Sequence, residues 1–315
     1  MRHRAWKPVK PLQQSRALSP PMLTLSILDS LSLPGSESRP NEDQLGWTAQ
    51  CAFVIDGATG LGPDFVVGRH DSDAAWLATF AKVHFEEMIM PGRAMADIVR
   101  STNALARRIV AFAAKGRDMP AWNLPIAGFQ MIRIEENRIV THGLGDCTLF
   151  LTDGDGVTVA HSALPGNADL EREAARAVIE RCGGLSNLPR LIDDPALLAR
   201  ERSLRGTFNT PSGPVWTLGS VPQAADHLVS APLPDRLPMT GLLCTDGFAA
   251  LASNYGIFEP DEFIRAAKRD GLSVLGSRLR NIERREDPDG RLHPRMKPSD
   301  DATAVLFEIS APLGT

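Results

Sequence analysis

The sequence predicts an α+β fold in which helices pack outside antiparallel sheets, and three observations carry that expectation. Apolar runs with strand periodicity recur along the chain and end in turn residues. Segments with helical periodicity come in pairs between them. No internal repeat or composition break divides residues 22–311, which read as one domain.

The elements follow in chain order. "LTLSILDSLSLPG", from Leu23, alternates and stops at Pro34-Gly35, so it predicts a first strand. "QLGWTAQ" and "CAFVID" pair as a hairpin, with Asp43 just before the first and Asp56 closing the second. Residues 71–90 and 93–115 have helical spacing and are split at Pro91-Gly92. In the second, Ala96, Val99, Ala104, Ile109, Val110 and Ala113 form one apolar face. From Pro125 the period shifts to two, and Glu136-Asn137 and the run Asp153-Gly154-Asp155-Gly156 supply turns, which predicts a continuous antiparallel meander. Residues 169–181 form a charged amphipathic helix stopped by Gly183-Gly184. Residues 185–238 are rich in Pro, Ser and Gly and predict few elements. "TGLLCTDG" is a buried strand, 261–269 and 272–285 are helical, and "ATAVLFEIS" is the last strand.

Composition excludes several classes. The chain has 315 residues, 43% apolar and 23% charged, which suits a globular protein with a sizeable core. A net charge of −4 is too small to predict a nucleic-acid partner. Cys51, Cys147, Cys182 and Cys244 are scattered without C-x-x-C spacing, and three lie in strand-like stretches. They predict buried thiols in a reducing compartment, the cytoplasm, rather than a zinc site. No apolar run approaches the roughly 20 residues that cross a bilayer, so no membrane partner is expected. Residues 1–21 carry Arg2, Arg4, Lys7, Lys10 and Arg16 with no acidic residue. They are expected to form a disordered tail; a targeting peptide and an anion-binding arm are the other readings.

The acidic residues repeat one geometry. Asp56 follows "AFVI" and precedes Gly57; Asp246 follows "GLLCT" and precedes Gly247. Asp146 follows "THGLG", Asp300-Asp301 precede "ATAVLFEI", and Asn41-Glu42-Asp43 precede "QLGW". A single Asp-Gly at a strand end is a common turn. Five such ends predict carboxylates converging on one pole of a β core, where like charges repel and require a counter-charge. A hard divalent cation supplies it, and oxygen-only ligands select Mg²⁺ or Mn²⁺ over zinc.

These residues carry a family resemblance. "RPNED", "FVIDGATG", "GLGDCTLFL", "LLCTDG" and "SDDATAVLFE" occur in the order and approximate spacing of the metal-dependent PPM/PP2C protein phosphatases, and the chain resembles a bacterial-type member over roughly residues 23–309. The resemblance implies a four-layer α-β-β-α sandwich, two central antiparallel sheets flanked by helix pairs. It implies that Asp56 bridges two Mn²⁺ or Mg²⁺ ions and the Gly57 carbonyl binds one. Asp246 and Asp300 would complete the other site, and Glu42 or Asp43 would reach the metals directly or through water. Asp146, with Asp246, would hold a third, looser ion. Arg39 is the match to the arginine that binds substrate phosphate. The implied chemistry is hydrolysis of phosphoserine and phosphothreonine by a metal-bridging hydroxide, with a phosphoprotein substrate and a cognate kinase as partners.

Several positions depart from the family pattern. Ala58 stands where eukaryotic members place a histidine, and His70, near a predicted helix start, is a candidate substitute. Thr59 replaces a glycine and puts a Cβ where the loop is expected to need positive φ. Arg39 sits one residue closer to the acidic pair, Asp301 replaces an Asn, and "PIAGFQ" replaces a small-residue stretch. The alternatives to a protein phosphatase are therefore a non-catalytic phosphatase-like binding module and a phosphatase of a small phosphoester. Elsewhere, Trp216 and His227 mark a flap or a structural loop. Lys82, His84, Glu86 and Glu87 read as a solvated face, and the mixed charges of Arg278, Arg280, Glu283, Arg284, Arg285, Glu286 and Asp287 as a solvated helix end. Trp47 and Trp76 read as core.

Overall fold

The computed structural model describes residues 23–63, 65–67, 72–187 and 193–311. The expected tail (1–21) and the candidate His70 lie outside the described residues. Among those described, ten strands form two antiparallel sheets of five. In one, the order is β1 (Thr24–Leu33), β10 (Ala302–Ser310), β9 (Met239–Cys244), β6 (Thr148–Thr152), β7 (Thr158–Ser162). In the other it is β2 (Asp43–Trp47), β3 (Cys51–Gly57), β4 (Ala127–Glu135), β5 (Arg138–Leu144), β8 (Val229–Pro232).

The continuous apolar runs in the sequence follow from burial on both faces. In β3, Ala52 and Val54 pack between the sheets against Leu149, Leu243, Val305 and Phe307. Phe53 and Ile55, on the opposite face, pack under α1 (Asp73–Met88) and α2 (Met95–Ala114) with Leu77, Phe85, Ile98 and Phe129. Phe85 meets Phe53 and Phe129 edge-on at 5.6 and 5.2 Å between centroids, pairs worth about 0.5–1.5 kcal/mol each beyond their area. The other sheet is covered by α5 (Asp246–Ser253), α6 (Pro260–Asp270) and α7 (Leu272–Asn281), through Phe248, Phe263 and Leu275 against Phe150, Leu242 and Leu306. Between β7 and β8 lie α3 (Asn167–Cys182) and α4 (Pro195–Arg205), with a small core of their own around Val178, Ile179 and Leu197. No described helix is long and apolar enough to cross a membrane.

The predicted layers, the β2–β3 hairpin and the helix pairs are all present. The meander is not continuous. β4 and β5 pair in one sheet and β6 and β7 in the other, and the chain crosses between them at Gly145-Asp146. Gly145 has φ +79°, and a Cβ there would stand 2.8 Å from the Gly128 Cα, so only glycine makes this tight exit. Three elements were not foreseen. α4 begins with Asp194 accepting from the Ala196 and Leu197 amides at 3.0 and 2.9 Å, with Pro195 in its first turn, a start signal that its charged, weakly periodic body obscures. β8 is a short edge strand, where Pro232 is tolerated. α5 starts at Asp246 itself, so the Asp-Gly there opens a helix and not a loop.

Other expectations change at the surface. Trp47 is 43% exposed, whereas Trp76 is buried. The mixed-charge segment is solvated only in part: Arg278, Arg284, Arg285 and Glu286 are exposed, but Glu283 and Asp287 are buried, and Arg280 pairs with Glu283 at 2.7 Å.

Candidate metal centre

Strand ends bring the acidic residues to one pole. Asp43 and Asp56 are cross-strand partners at the open end of the β2–β3 hairpin. Asp246 follows β9, and Asp300 precedes β10, its neighbour in the other sheet. Thr245 joins the two sheets there: its hydroxyl donates to Asp43 Oδ2 at 2.7 Å and accepts from the Thr303 amide at 3.0 Å. Asp146 sits in the crossover between β5 and β6 and accepts from Asn167 Nδ2 at 2.7 Å. The charge of Asp246 acts on the Asp56 carboxyl, and that of Asp43 reinforces it.

The electrostatics follow from this crowding. Desolvation, then the charges of Asp246 and Asp43, holds the Asp56 carboxyl well above the usual range. Desolvation dominates for Asp43 as well, opposed by the Thr245 hydroxyl and reinforced by Asp301 and Asp300. Burial lifts Asp146, against the Asn167 hydrogen bond. Asp246 is pushed up to about 7 by burial and by Asp300 and Asp146. Asp146, Asp246 and Asp300 line a cavity, and they and Asp56 keep part of their surface accessible, which moderates the desolvation without reversing it. That cavity, about 360 Å³, extends from Asp146, Asp246 and Asp300 past Glu171, Tyr255 and Lys297.

Not every predicted residue joins the cluster. Glu42 is turned aside: its carboxylate accepts from the Thr59 hydroxyl and, at 2.5 Å, from Ser72 Oγ. Asp301 also points away and ties a loop, accepting from the Gly35 and Glu42 amides at 2.7 Å each. Arg39 is half-exposed at the rim, with Nη2 3.9 Å from Glu42 Oε1. Thr59 is not among the residues with positive φ, so the expected strain is absent there.

Sequence reasoning missed five participants. Thr245 was hidden inside the strand motif. Lys297 reaches Asp300 Oδ1 at 2.5 Å; its place three residues upstream was the available signal. Glu171 lies one helical turn beyond Asn167, shares its amide at 3.1 Å, and is pushed up to about 8 by burial and by Asp146. It still faces the open cavity with exposed surface. Arg205 of α4 donates to the Thr59 carbonyl at 2.6 Å, while Arg202 donates to the Leu61 carbonyl and lies 4.3 Å over the Trp122 ring. No local signal ties α4 to the loop after Asp56.

The residues fit a hard divalent cation in chemistry and in backbone design. The donors are all oxygens with too little counter-charge. Each aspartate of the two Asp-Gly pairs is followed by a glycine that close backbone approach demands. A Cβ on Gly57 would lie 2.6 Å from the Glu42 carbonyl oxygen, and one on Gly247 would overlap that of Asp301. Among the described residues no three acidic, histidine or cysteine side chains close on one point; Asp43, Asp146 and Asp300 each have a protein donor.

Two predictions follow from this arrangement. Gly247→Ala is expected to cost about 1–3 kcal/mol by overpacking, while Gly60→Ala, with open space around it, stays within about 0.5 kcal/mol. Urea unfolding measures both; equal effects would contradict the close-approach reading. The second concerns pH. In EDTA-treated protein the raised carboxyls bind protons more tightly folded than unfolded, so stability is greatest below the unfolded pKa and falls as pH rises through the folded values. For Asp246 the window runs from the ordinary 3.8 to about 7. At 1.36 kcal/mol per pK unit, and discounted for the accessible cavity, the expected loss between pH 5 and 8 is about 2 kcal/mol. Stability that is flat or rises over that range would overturn this.

No protein-family model matches the chain, and no curated protein does. Solved structures do. The chain is similar to the catalytic domain of the serine threonine protein phosphatase PstP in complex with two manganese ions, with a TM-score of 0.50, 17% identity, and coverage of 92% of this chain and 100% of that one. It is similar to PppA, a regulatory component of T6SS in Pseudomonas aeruginosa, with a TM-score of 0.51, 15% identity, and coverage of 92% and 98%. It is also similar to the PPM Ser-Thr phosphatase MsPP from Mycobacterium smegmatis in complex with cacodylate, with a TM-score of 0.50, 14% identity, and coverage of 90% and 98%. With two antiparallel sheets stacked between helices and its acidic residues gathered at one pole, the chain has the fold of the PPM-type serine/threonine phosphatases.

Proposed function

We propose that the chain is a metal-dependent phosphatase acting on phosphoserine and phosphothreonine in proteins. The observation that carries the reading is the meeting of Asp43, Asp56, Asp146, Asp246 and Asp300 at one end of the sandwich, with upward-pushed carboxyls among them. Asp56, Asp246, Asp300 and the Gly57 carbonyl would hold two Mn²⁺ or Mg²⁺ ions, with Asp43 or Glu42 beside them and Asp146 at a third, looser one. When bound, the cations supply Lewis acidity toward phosphoryl oxygens and ionise water near neutral pH.

The chain's own groups do the rest. Thr245 fixes the Asp43 carboxylate through its hydroxyl. Arg39, at the rim and half-exposed, presents a planar fork that binds phosphate oxygens in bidentate fashion. Helix α4 ties down the loop after Asp56 through Arg202 and Arg205. The Cys51, Cys147 and Cys244 thiols are buried, and burial pushes all three up, away from the thiolate.

The choice of protein substrates rests on the fold and is the part most open to test. Release of inorganic phosphate from phosphoserine, phosphothreonine and phosphotyrosine peptides and from p-nitrophenyl phosphate is measured with Mn²⁺, Mg²⁺ and EDTA. Turnover of the first two peptide classes that EDTA abolishes and Mn²⁺ restores is expected. Turnover that survives EDTA rejects the metal-dependent reading, and metal binding without turnover of any phosphoester assigns the chain to binding instead. A phosphoprotein substrate implies a cognate kinase as the opposing activity.

A further inference from the structure

Building on the metal-dependent reading, we infer that Lys297 is a tethered cation that competes with a divalent ion for the Asp300 carboxylate, so that the chain sets its own metal affinity with an internal counter-charge. The Lys297 ammonium lies 2.5 Å from Asp300 Oδ1 and 3.4 Å from Thr59 Oγ1, and the Thr59 hydroxyl in turn donates to Glu42. Asp300 Oδ1 accepts a second hydrogen bond, from the Asp301 amide at 2.7 Å. A cation that takes this oxygen must displace the ammonium or bear its repulsion at close range.

The placement is built and not incidental. Lys297 and Asp300 are held from the backbone by two separate arginines. Arg295, almost fully buried, donates to the Pro298 carbonyl at 3.0 Å, and Arg280 donates to the Asp300 carbonyl at 2.7 Å. Both charged side chains are one-third exposed, so the pair is reached from the cavity that Lys297 itself lines. An ammonium on a flexible four-carbon stem can leave its partner for that space, which a rigid guanidinium cannot do as readily. The lysine shares its cavity with Asp146 and Asp246 as well as Asp300, so it is set among the acidic residues of the pole rather than in an isolated surface pair.

The test is calorimetric titration of MnCl₂ into the EDTA-stripped full chain, with wild type, Lys297→Met, Lys297→Arg, Asp300→Asn and the double variant Lys297→Met/Asp300→Asn. Lys297→Gln serves as a second neutral variant, and circular dichroism checks that each is folded. Removing the charge is expected to tighten Mn²⁺ binding about tenfold, in the range usual for coupled sites. Lys297→Arg keeps the charge and is expected within about threefold of wild type. In the Asp300→Asn background the gain should fall below about twofold, since the competition acts through that carboxylate. Unchanged or weaker affinity in the neutral variants, or a full gain that persists without Asp300, overturns the inference while the metal-dependent reading stands. If none of the chains binds Mn²⁺, both fall together.

Discussion

Asp56→Asn is expected to lower Mn²⁺-dependent turnover on the order of 10³-fold or more while leaving the fold intact, because bound cations contribute several kcal/mol of charge stabilisation to phosphoryl transfer. Asp56 sits at the end of a strand whose preceding residues are fully buried, opposite Asp43 and under the charge of Asp246. The charges of Asp246, Asp43 and Asp146 all act on it, so its removal relieves like-charge repulsion at several neighbours at once. An asparagine retains the size and the polar character of the side chain and removes the charge. Metal-free Asp56→Asn should therefore melt no lower than wild type, and at pH 8, where a charged Asp56 would be most costly, it should melt higher. The kinetic and thermal readouts separate the two roles. A large fall in melting temperature would mean that Asp56 is a structural group, and retention of more than about a tenth of wild-type kcat would remove it from the reacting centre.

The same separation explains what was legible in the sequence. Asp56-Gly57 and Asp246-Gly247 could be read because two demands coincide in each pair: a charge at a buried strand end, and a backbone approached too closely for a Cβ. The layers were legible because strands buried on both faces, such as β3, must be apolar without interruption. Asp300 and Asp301, by contrast, are adjacent and chemically alike, yet one faces the cavity and the other anchors the amides of Gly35 and Glu42. Nothing in the local chain distinguishes them. Lys297 and Arg205 were hidden for a related reason. Each is an ordinary basic residue in a polar segment until folding sets it against residues 59 and 300. The crossover at Gly145 was lost because two hairpins in different sheets have the same period-two signature as one meander. The cluster around Glu283 and Asp287 was misread because mixed charges mark a solvated face only when no cation is buried with them. Arg295, eight to twelve residues away, is that cation.

Arg295→Met is expected to lower the unfolding free energy by about 3–4 kcal/mol, near the lower end of what breaking a buried ion pair costs. The guanidinium lies 3.2 Å from Asp287 Oδ2 and also donates to the carbonyls of Glu283, Asp287, His293 and Pro298 at 3.0, 2.6, 3.2 and 3.0 Å. Methionine fills much of the same volume, so a cavity is not the main effect. What is lost is the set of guanidinium donors to these oxygens, of which the Asp287 carbonyl keeps only the Gly290 amide at 3.1 Å, and a buried acceptor left unpaired costs about 1–3 kcal/mol. The Asp287 carboxylate keeps the amides of Arg291, Leu292 and His293, which is why the upper end of the range is not reached. Lysine restores the charge but not the fork, so Arg295→Lys should recover less than half of the loss. Urea unfolding of the three chains in EDTA at one pH measures this; a loss below about 1 kcal/mol for Arg295→Met would mean that backbone amides alone carry Asp287. The consequence extends to the acidic pole. Arg295 fixes the Pro298 carbonyl next to Lys297, so a folded Arg295→Lys protein should hold its lysine–aspartate pair less firmly, and its Mn²⁺ affinity should shift toward that of the neutral Lys297 variants.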